Sequence, residues 1–400
     1  MKVLYLGSVI KTEECGKYIG PSVAGNKMQI GIIKQLINNY RDDLTVFTEV
    51  PIAAYPREKR LILKREDINL FNDVMALSIP FINIFFIKQI TMILTAFWHI
   101  MLWCIKYRNY DRKIICYNSY PYVAVPVLWV SKIFGLKTFC ILADPPLPEM
   151  KGSFLKNTAK SIENKSAKKN IKNFSGLIVL NEHAVRMFSP NSKYIVVDGG
   201  FDIKDAPLVS VGGQWSNREN DEPYRIVFSG ALTKYNGIEN LINGVGKCKS
   251  KNIILEIYGR GPLEEYIKKY ETRDSRIKYC GNVDNNTMLK IQNNAALLIN
   301  PRIVNDSISQ VTFPSKMIEY LISGTPVIST KLNGFTMEYL ENMFVLPDDT
   351  PESIANTIDS VLNMDNEVLI DKANKARNFI LNNKNWEIQV DKIISFMKSC

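Results

Sequence analysis

Four hundred residues exceed what one core usually encloses, so two domains are expected. Hydrophobic residues at 46% and charged residues at 22% are ordinary for a soluble globular protein. The net charge of +10 is unevenly held: residues 1–200 carry 27 Lys+Arg against 15 Asp+Glu and residues 201–400 carry 23 against 25, so the first half favours anions such as nucleic acid, phospholipid or phosphate-bearing substrates.

The opening run MKVLYLGSVI lacks the charged region and cleavage site of a secretory signal and predicts a strand over 2–8. A helix is expected over 25–40, where apolar residues recur at near-helical spacing, followed by the strand LTVFTEV. Further strands are predicted in KIICYNS (113–119), KTFCILAD (137–144), GLIVLNE (176–182) and KYIVVDGG (193–200). Strands this apolar, separated by helical lengths, indicate a parallel sheet covered on both faces. The seven cysteines form no C-x-x-C pair and only two histidines are present, which leaves a zinc site unsupported and fits a reduced cytosolic setting.

Two stretches of the first half raise the question of a membrane. Residues 74–105 are very apolar but interrupted by Pro80 and Lys88. The uncharged piece 89–105 sits at the short end of the spanning range of about 17–25 residues. A true span, a buried core helix, and a helix whose outer face (Phe97, Trp98, Trp103) enters a membrane surface are all compatible with it. The stretch 151–173 carries seven lysines and one glutamate, with Phe154, Leu155, Ala159 and Ile162 at helical spacing. Its Lys165, Lys168 and Lys169 would meet anionic lipid; the bland reading is a solvated helix face. Nucleic acid is not expected, because aromatic and basic residues are not interleaved as in single-strand binders.

Residues 204–223, polar and rich in Gly, Pro and Asn, break the rhythm and predict a domain boundary. The pattern then restarts with YRIVFSG, helix 237–249, IILEIYG, helix 262–271, RIKYCGNV, helix 286–294, ALLINP, helix 315–323 and PVIST. Two doubly wound α/β domains would bind a ligand outside the carboxyl ends of their strands. Three strand ends carry glycine or small polar residues before a helix: 8–27 (with Gly20 and Ser22), 228–237 (Gly230, Lys234) and 258–262 (Gly261). Such turns let backbone amides approach a phosphate, although none is a G-x-G-x-x-G or Walker loop. Arg302 is expected to project into the loop after a strand, and Pro314 and Ser315 to start a helix. Arg302, Lys316 and the amides of 315–317 could then bind a diphosphate, with Glu319 accepting two ribose hydroxyls or simply facing solvent.

These runs resemble the group-one glycosyltransferases, the large retaining family four with the GT-B fold. The specific match is RIKYCGNV, LLINPR and FPSKMIEYLISGTPVIST in that order; the N-terminal matches are looser. The resemblance implies two Rossmann-like domains, 1–203 for the acceptor and 204–384 for the donor, with helix 385–400 returning to the first. It implies a nucleotide-diphosphate sugar as donor substrate, no cofactor, and no metal. Glu319 matches the second of the family's two glutamates, whereas the first falls on Val311. The family's Arg and Lys of the glycine turn fall on Ala231 and Asn236, and its N-terminal histidine on Asp144. Asp144, Arg302 and Lys316 are thus the expected catalytic residues. The expected donor contacts are Gly20, Ser22, Gly230, Lys234, Gly261 and Asn282, together with Arg302, Pro314, Ser315, Lys316 and Glu319. A saccharide or polyprenyl-diphosphate-linked acceptor is expected at the inner face of a membrane, in surface-polysaccharide synthesis. A glycosidase would need two carboxylates flanking one bond. A sugar-nucleotide epimerase and a catalytically silent GT-B subunit are the other readings considered.

Overall fold

The computed structural model describes residues 1–72, 74–147, 154–205, 211–217 and 222–400. It divides into two compact units, Met1–Gly200 with Trp386–Cys400, and Phe201–Asn385. The first unit contains β1 (Lys2–Gly7), β2 (Leu44–Thr48), β3 (Ile62–Leu63), β4 (Asp67–Phe71), β5 (Val74–Ser78), β6 (Phe81–Ile82), β7 (Arg112–Tyr117), β8 (Lys137–Leu142), β9 (Gly176–Val179) and β10 (Tyr194–Val196). Eight of these form one sheet in the order β10-β9-β8-β7-β1-β2-β5-β4. Its strands run parallel except β4, which is antiparallel to β5 at the edge. The remaining two, β3 and β6, make a separate antiparallel ribbon.

The central strands are buried along almost their whole length, as the apolar runs require of a sheet covered on both faces. One cover is the pair of helices Val23–Tyr40 and Trp386–Ser399, which supply Ile32, Ile33, Leu36, Val390, Ile393 and Met397 to the core. Their close approach requires Gly31, because a Cβ there would lie 2.2 Å from the Trp386 Nε1. The Lys113 ammonium donates to the Met397 carbonyl and ties the last helix to β7.

The apolar stretch 74–105 is not one helix. Its first residues form β5 and β6, and helix Ile87–Lys106 begins only after Asn83, which donates to the Ala53 and Arg60 carbonyls at 3.0 Å each. The proline at 80 and the asparagine at 83 are the punctuation. Part of the lysine-rich stretch, 151–153, lies outside the described residues, as do the side chains of Phe154 and Leu155. The rest of helix Phe154–Ile171 buries Asn164, Ala167, Asn170 and Ile171, and leaves Ile162 65% exposed. Its inner face is therefore partly polar: Asn164 donates to the Leu147 carbonyl at 2.7 Å and Asn170 to that of Ser119 at 3.3 Å.

The second unit contains β11 (Tyr224–Ser229), β12 (Ile253–Tyr258), β13 (Ile277–Gly281), β14 (Leu297–Asn300), β15 (Val327–Thr330) and β16 (Phe344–Leu346). All are parallel, in the order β13-β12-β11-β14-β15-β16. The chain reverses direction across the sheet between β11 and β14, so the carboxyl ends of those two strands flank a topological switch point. Of the polar stretch 204–223, residues 206–210 and 218–221 lie outside the described residues. Between them, Trp215 is 7% exposed, stacks on Tyr224 and donates to the Ala296 carbonyl at 2.7 Å. That segment is built into the second core.

Candidate functional site

At the switch point of the second unit, β11 ends in Ser229-Gly230 and β14 in Asn300-Pro301-Arg302. Short helix Lys316–Ile322 packs behind them. Tyr320 of that helix fixes the end of β11: its hydroxyl accepts from the Ser229 amide at 2.7 Å. Gly259, at the end of β12, has φ +132°, and a Cβ there would come within 1.9 Å of the Gly230 carbonyl oxygen. Only glycine lets these two strand ends close together.

Lys316 extends under this turn. Its ammonium is fully enclosed, lies 3.9 Å from the Phe228 ring centroid, and has no hydrogen-bond partner among the described residues. A Cβ added to Gly230 would sit 3.9 Å from that nitrogen, so the turn and the ammonium are neighbours. Burial holds the Lys316 pKa well below the usual lysine range, and the nearby Arg302 charge lowers it further. Arg302 lies in the loop after β14, as expected, but is only 5% exposed. Its guanidinium carbon lies 5.0 Å from the Tyr235 ring, and its carbonyl accepts from Thr330 Oγ1 at 2.8 Å. Its Nε and Nη1 have no hydrogen-bond partner among the described residues. Burial lowers its pKa, opposed by Tyr235 and Asp306. The structure therefore assembles two buried cations, Lys316 beside Gly230 and Arg302 close enough to act on it, and neither is in an ion pair among the described residues. A buried charge of this kind calls for an anion.

Other expected donor contacts fare differently. Pro314 is buried and Ser315 exposed, and the Met317 amide is taken by the Pro314 carbonyl at 2.9 Å, so it is not available to a phosphate. The Gly261 amide is likewise taken, by the Glu264 carboxylate at 2.9 Å. That reciprocal cap was visible in the sequence as a glutamate three residues after a glycine-proline turn. Lys234 and Asn282 are exposed, Glu319 is half-buried in the first turn of its helix, and Val311 is 1% exposed. Asn236, the position of a missing family cation, is buried and donates to the Ala231 carbonyl at 2.7 Å, bracing the turn. Phe228, Tyr235 and Tyr320 are the residues the sequence reading missed; each is an aromatic beside a cation or strand end, a role no local pattern announces.

Gly20, Ser22 and Asp144 belong to the first unit. Ser22 caps helix Val23–Tyr40 by accepting from the Gly25 amide at 3.1 Å, and Gly20 packs on the backbone of Pro51–Ala53. Asp144 follows β8 and is exposed at its edge. Asn118, after β7, holds it: the Asn118 amide donates to Asp144 Oδ2 at 3.0 Å, while its Oδ1 accepts from the Ala143 and Asp144 amides at 3.0 and 2.8 Å. Asn118 adopts φ +69° to do so. Close packing raises the Asp144 pKa, against the Asn118 hydrogen bond and the Lys160 charge. Of the membrane residues, Trp98 is exposed, but Trp103 is 5% exposed and donates to Thr45 Oγ1 at 3.0 Å. Trp103 thus faces the core. Phe97 is half-buried against Trp129. Lys165, Lys168 and Lys169 are exposed. Among the described residues no three His, Cys, Asp or Glu side chains converge as metal ligands.

Residues 223–364, which contain this switch point, match the family model described as "Glycosyl transferases group 1". Most of the second unit is thus similar to a group 1 glycosyltransferase domain. The whole chain has the GT-B fold of two Rossmann-like units. It superposes on sucrose-phosphate synthase from Thermosynechococcus elongatus with a TM-score of 0.68 at 15% identity, covering 100% of this chain and 99% of that one. The Anabaena protein HepE, solved in complex with UDP, gives 0.67 at 15% identity with 100% of both chains covered. A glycosyltransferase from Rickettsia africae gives 0.66 at 16%, covering 100% and 98%. At such identities the likeness is one of fold. No curated protein sequence matches this chain significantly.

Proposed function

We propose that the protein transfers a sugar from a nucleotide-diphosphate sugar to a saccharide or lipid-linked acceptor. The observation that carries this reading is the pair of enclosed cations Arg302 and Lys316, neither in an ion pair among the described residues, with Lys316 beside the Gly230 turn. Breaking the sugar–phosphate bond develops negative charge on the departing diphosphate and positive charge on the sugar. Fixed cations in a site from which water is excluded stabilise the first of these. Arg302 and Lys316 take the diphosphate, Glu319 the ribose, and Lys234 adds a solvent-side charge. The transfer proceeds with retention and without a metal, as the family resemblance implies. In the first unit, Asp144 orients or deprotonates the acceptor hydroxyl, with Asn118 as its positioning residue.

HepE's complexes with UDP and UDP-glucose support a nucleotide-sugar donor for this fold. The acceptor follows from the charge of the first half and the apolar helix Ile87–Lys106. Together they favour a phosphate-bearing, lipid-linked acceptor handled from the cytoplasmic face of an anionic plasma membrane, in the assembly of a surface polysaccharide. Nucleic acid is not a partner in this reading. A thermal-shift panel of UDP-, GDP-, ADP- and dTDP-sugars tests the donor. One of them should raise the melting temperature of the wild type and leave Lys316→Met unmoved; no shift with any would sink the proposal. The silent-subunit reading draws on the buried Val311 and the absent charges at 231 and 236. Release of free nucleotide from the selected donor sugar distinguishes it from an enzyme.

A further inference from the structure

Helix Ile87–Lys106 is long and apolar enough to cross a membrane by length and composition. One of its faces nevertheless belongs to the first unit's interior. Met92, Ala96, Ile100 and Cys104 are at most 4% exposed, and Trp103 is hydrogen-bonded to Thr45. A span would require unpacking that face. The opposite face has no such cover: Ile87, Ile90, Leu94, Trp98, Leu102 and Ile105 are exposed at a spacing of three and four residues.

Every exposed residue from Ile84 to Ile105 is apolar. A helix facing water interleaves charges, and this one does not. Its polar groups turn inward or onto the helix itself. Thr91 donates to the Ile87 carbonyl at 2.9 Å, Thr95 to that of Thr91 at 2.7 Å, and His99 Nδ1 pairs with the Thr95 carbonyl at 2.7 Å. Of its two lysines, Lys88 donates inward to the Ile52 carbonyl, and Lys106 is the last residue of the helix. Such closure of hydrogen bonds is what a hydrocarbon boundary demands.

The apolar face continues beyond the helix. The β3–β6 ribbon packs on the helix and exposes the cross-strand pair Ile62 and Ile82, with Ile84, Phe85 and Phe86 leading into the helix. On the neighbouring helix Pro121–Phe134, Trp129 and Ile133 are exposed beside Phe97. Contiguous apolar surface on this scale marks an interaction site. The charges around it select the partner. Residues 57–65, REKRLILKR, carry five basic side chains against one acid before Glu66 and Asp67 follow. Arg57, Lys59, Lys64 and Arg65 have no ion-pair partner among the described residues and flank the exposed Leu61 and Ile62.

We propose that this face, formed by the β3–β6 ribbon and the outer stripe of helix Ile87–Lys106, rests in the headgroup–acyl boundary of an anionic lipid leaflet, with the 57–65 cluster on the lipid phosphates. It is a monotopic dock, inserted about 5–10 Å deep. The proposal deepens the lipid-linked acceptor reading and moves the lipid contact away from Lys165, Lys168 and Lys169. It does not depend on donor chemistry, since vesicle binding is measured without nucleotide; failure of one leaves the other standing.

The test is flotation of the full chain with vesicles of phosphatidylglycerol or of phosphatidylcholine alone. Binding to phosphatidylglycerol should fall by about tenfold or more in Leu94→Glu/Trp98→Glu, and likewise in Lys64→Glu/Arg65→Glu. Far-UV circular dichroism should be unchanged, since all four side chains are exposed. Brominated acyl chains should quench tryptophan fluorescence, less so in Trp98→Phe. Three results would overturn the proposal: absence of binding to phosphatidylglycerol, or binding lost in Lys165→Glu/Lys168→Glu/Lys169→Glu but kept in Leu94→Glu/Trp98→Glu. The third is a dimer in vesicle-free sedimentation that Leu94→Glu/Trp98→Glu dissolves, which would assign the face to a second copy.

Discussion

The Lys316 ammonium lies 3.9 Å from the centroid of the Phe228 ring, enclosed and without a hydrogen-bond acceptor among the described residues. A cation in that position is held by a ring face and repelled by Arg302. Its environment therefore disfavours the charged form until an anion arrives.

Binding of a diphosphate should take up a proton. The ligand's charge raises the Lys316 pKa, so between the depressed free value and the raised bound value the complex holds more protons, and affinity falls as pH rises through that window. Titration calorimetry in buffers of different ionisation enthalpy should report net uptake, lost in Lys316→Met. The empty protein has the opposite linkage. Its folded state holds fewer protons than the unfolded chain, whose lysine titrates near the ordinary 10.5. Stability therefore rises with pH between the depressed value and the ordinary one, and falls as pH drops through the depressed value. Lys316→Met should remove that dependence and raise the stability of the empty protein below the window, by about 1–3 kcal/mol.

Glu319→Ala should weaken binding of the selected nucleotide sugar by about 1.5–3 kcal/mol, the scale of hydrogen bonds to a charged group. Its half-buried setting makes a large loss of fold stability unexpected. A dissociation constant equal to wild type would place Glu319 outside the donor site.

Asn118→Ala should destabilise the first unit by about 1–3 kcal/mol, because it leaves the Ala143 and Asp144 amides and one Asp144 oxygen without their partner. Alanine also fits poorly at φ +69°. Asn118→Gly relieves the backbone but not the hydrogen bonds, so it should be less destabilising than Ala while lowering transfer equally. If both retained wild-type transfer, Asn118 would not be positioning Asp144 for the reaction.

Glu49, just after β2, is fully buried and neither carboxylate oxygen has a hydrogen-bond partner among the described residues. Burial raises its pKa well above the carboxylate range, opposed by Lys88. The folded state thus holds the extra proton, and its contribution is lost as pH rises from the ordinary value through the raised one. Glu49→Gln carries no charge to bury. Its melting temperature relative to wild type should increase from about pH 5 to about pH 8; a gap independent of pH would mean that Glu49 titrates normally.

The strands were legible because a sheet covered on both faces demands unbroken apolar runs, and β1, β7, β8 and β11 are such runs. The same signal misled at 74–105, where a strand, a ribbon strand and a helix share one hydropathy. Trp98 and Trp103 could have been separated beforehand: five residues at 3.6 per turn place them on different sides of a helix, and the structure exposes one and buries the other.

Sequence alone thus determined the buried parallel strands and most of the helices between them, since these depend on local periodicity and turn chemistry. It could not determine which charges lose water. Arg302 is in the expected loop but enclosed beside Tyr235, and Lys316 lies over Phe228, because β11, β14 and the helix after Ser315 meet at the switch point. Desolvation is a property of what packs around a group from distant parts of the chain. The desolvated charge that makes this corner a candidate site was therefore decided by the tertiary structure.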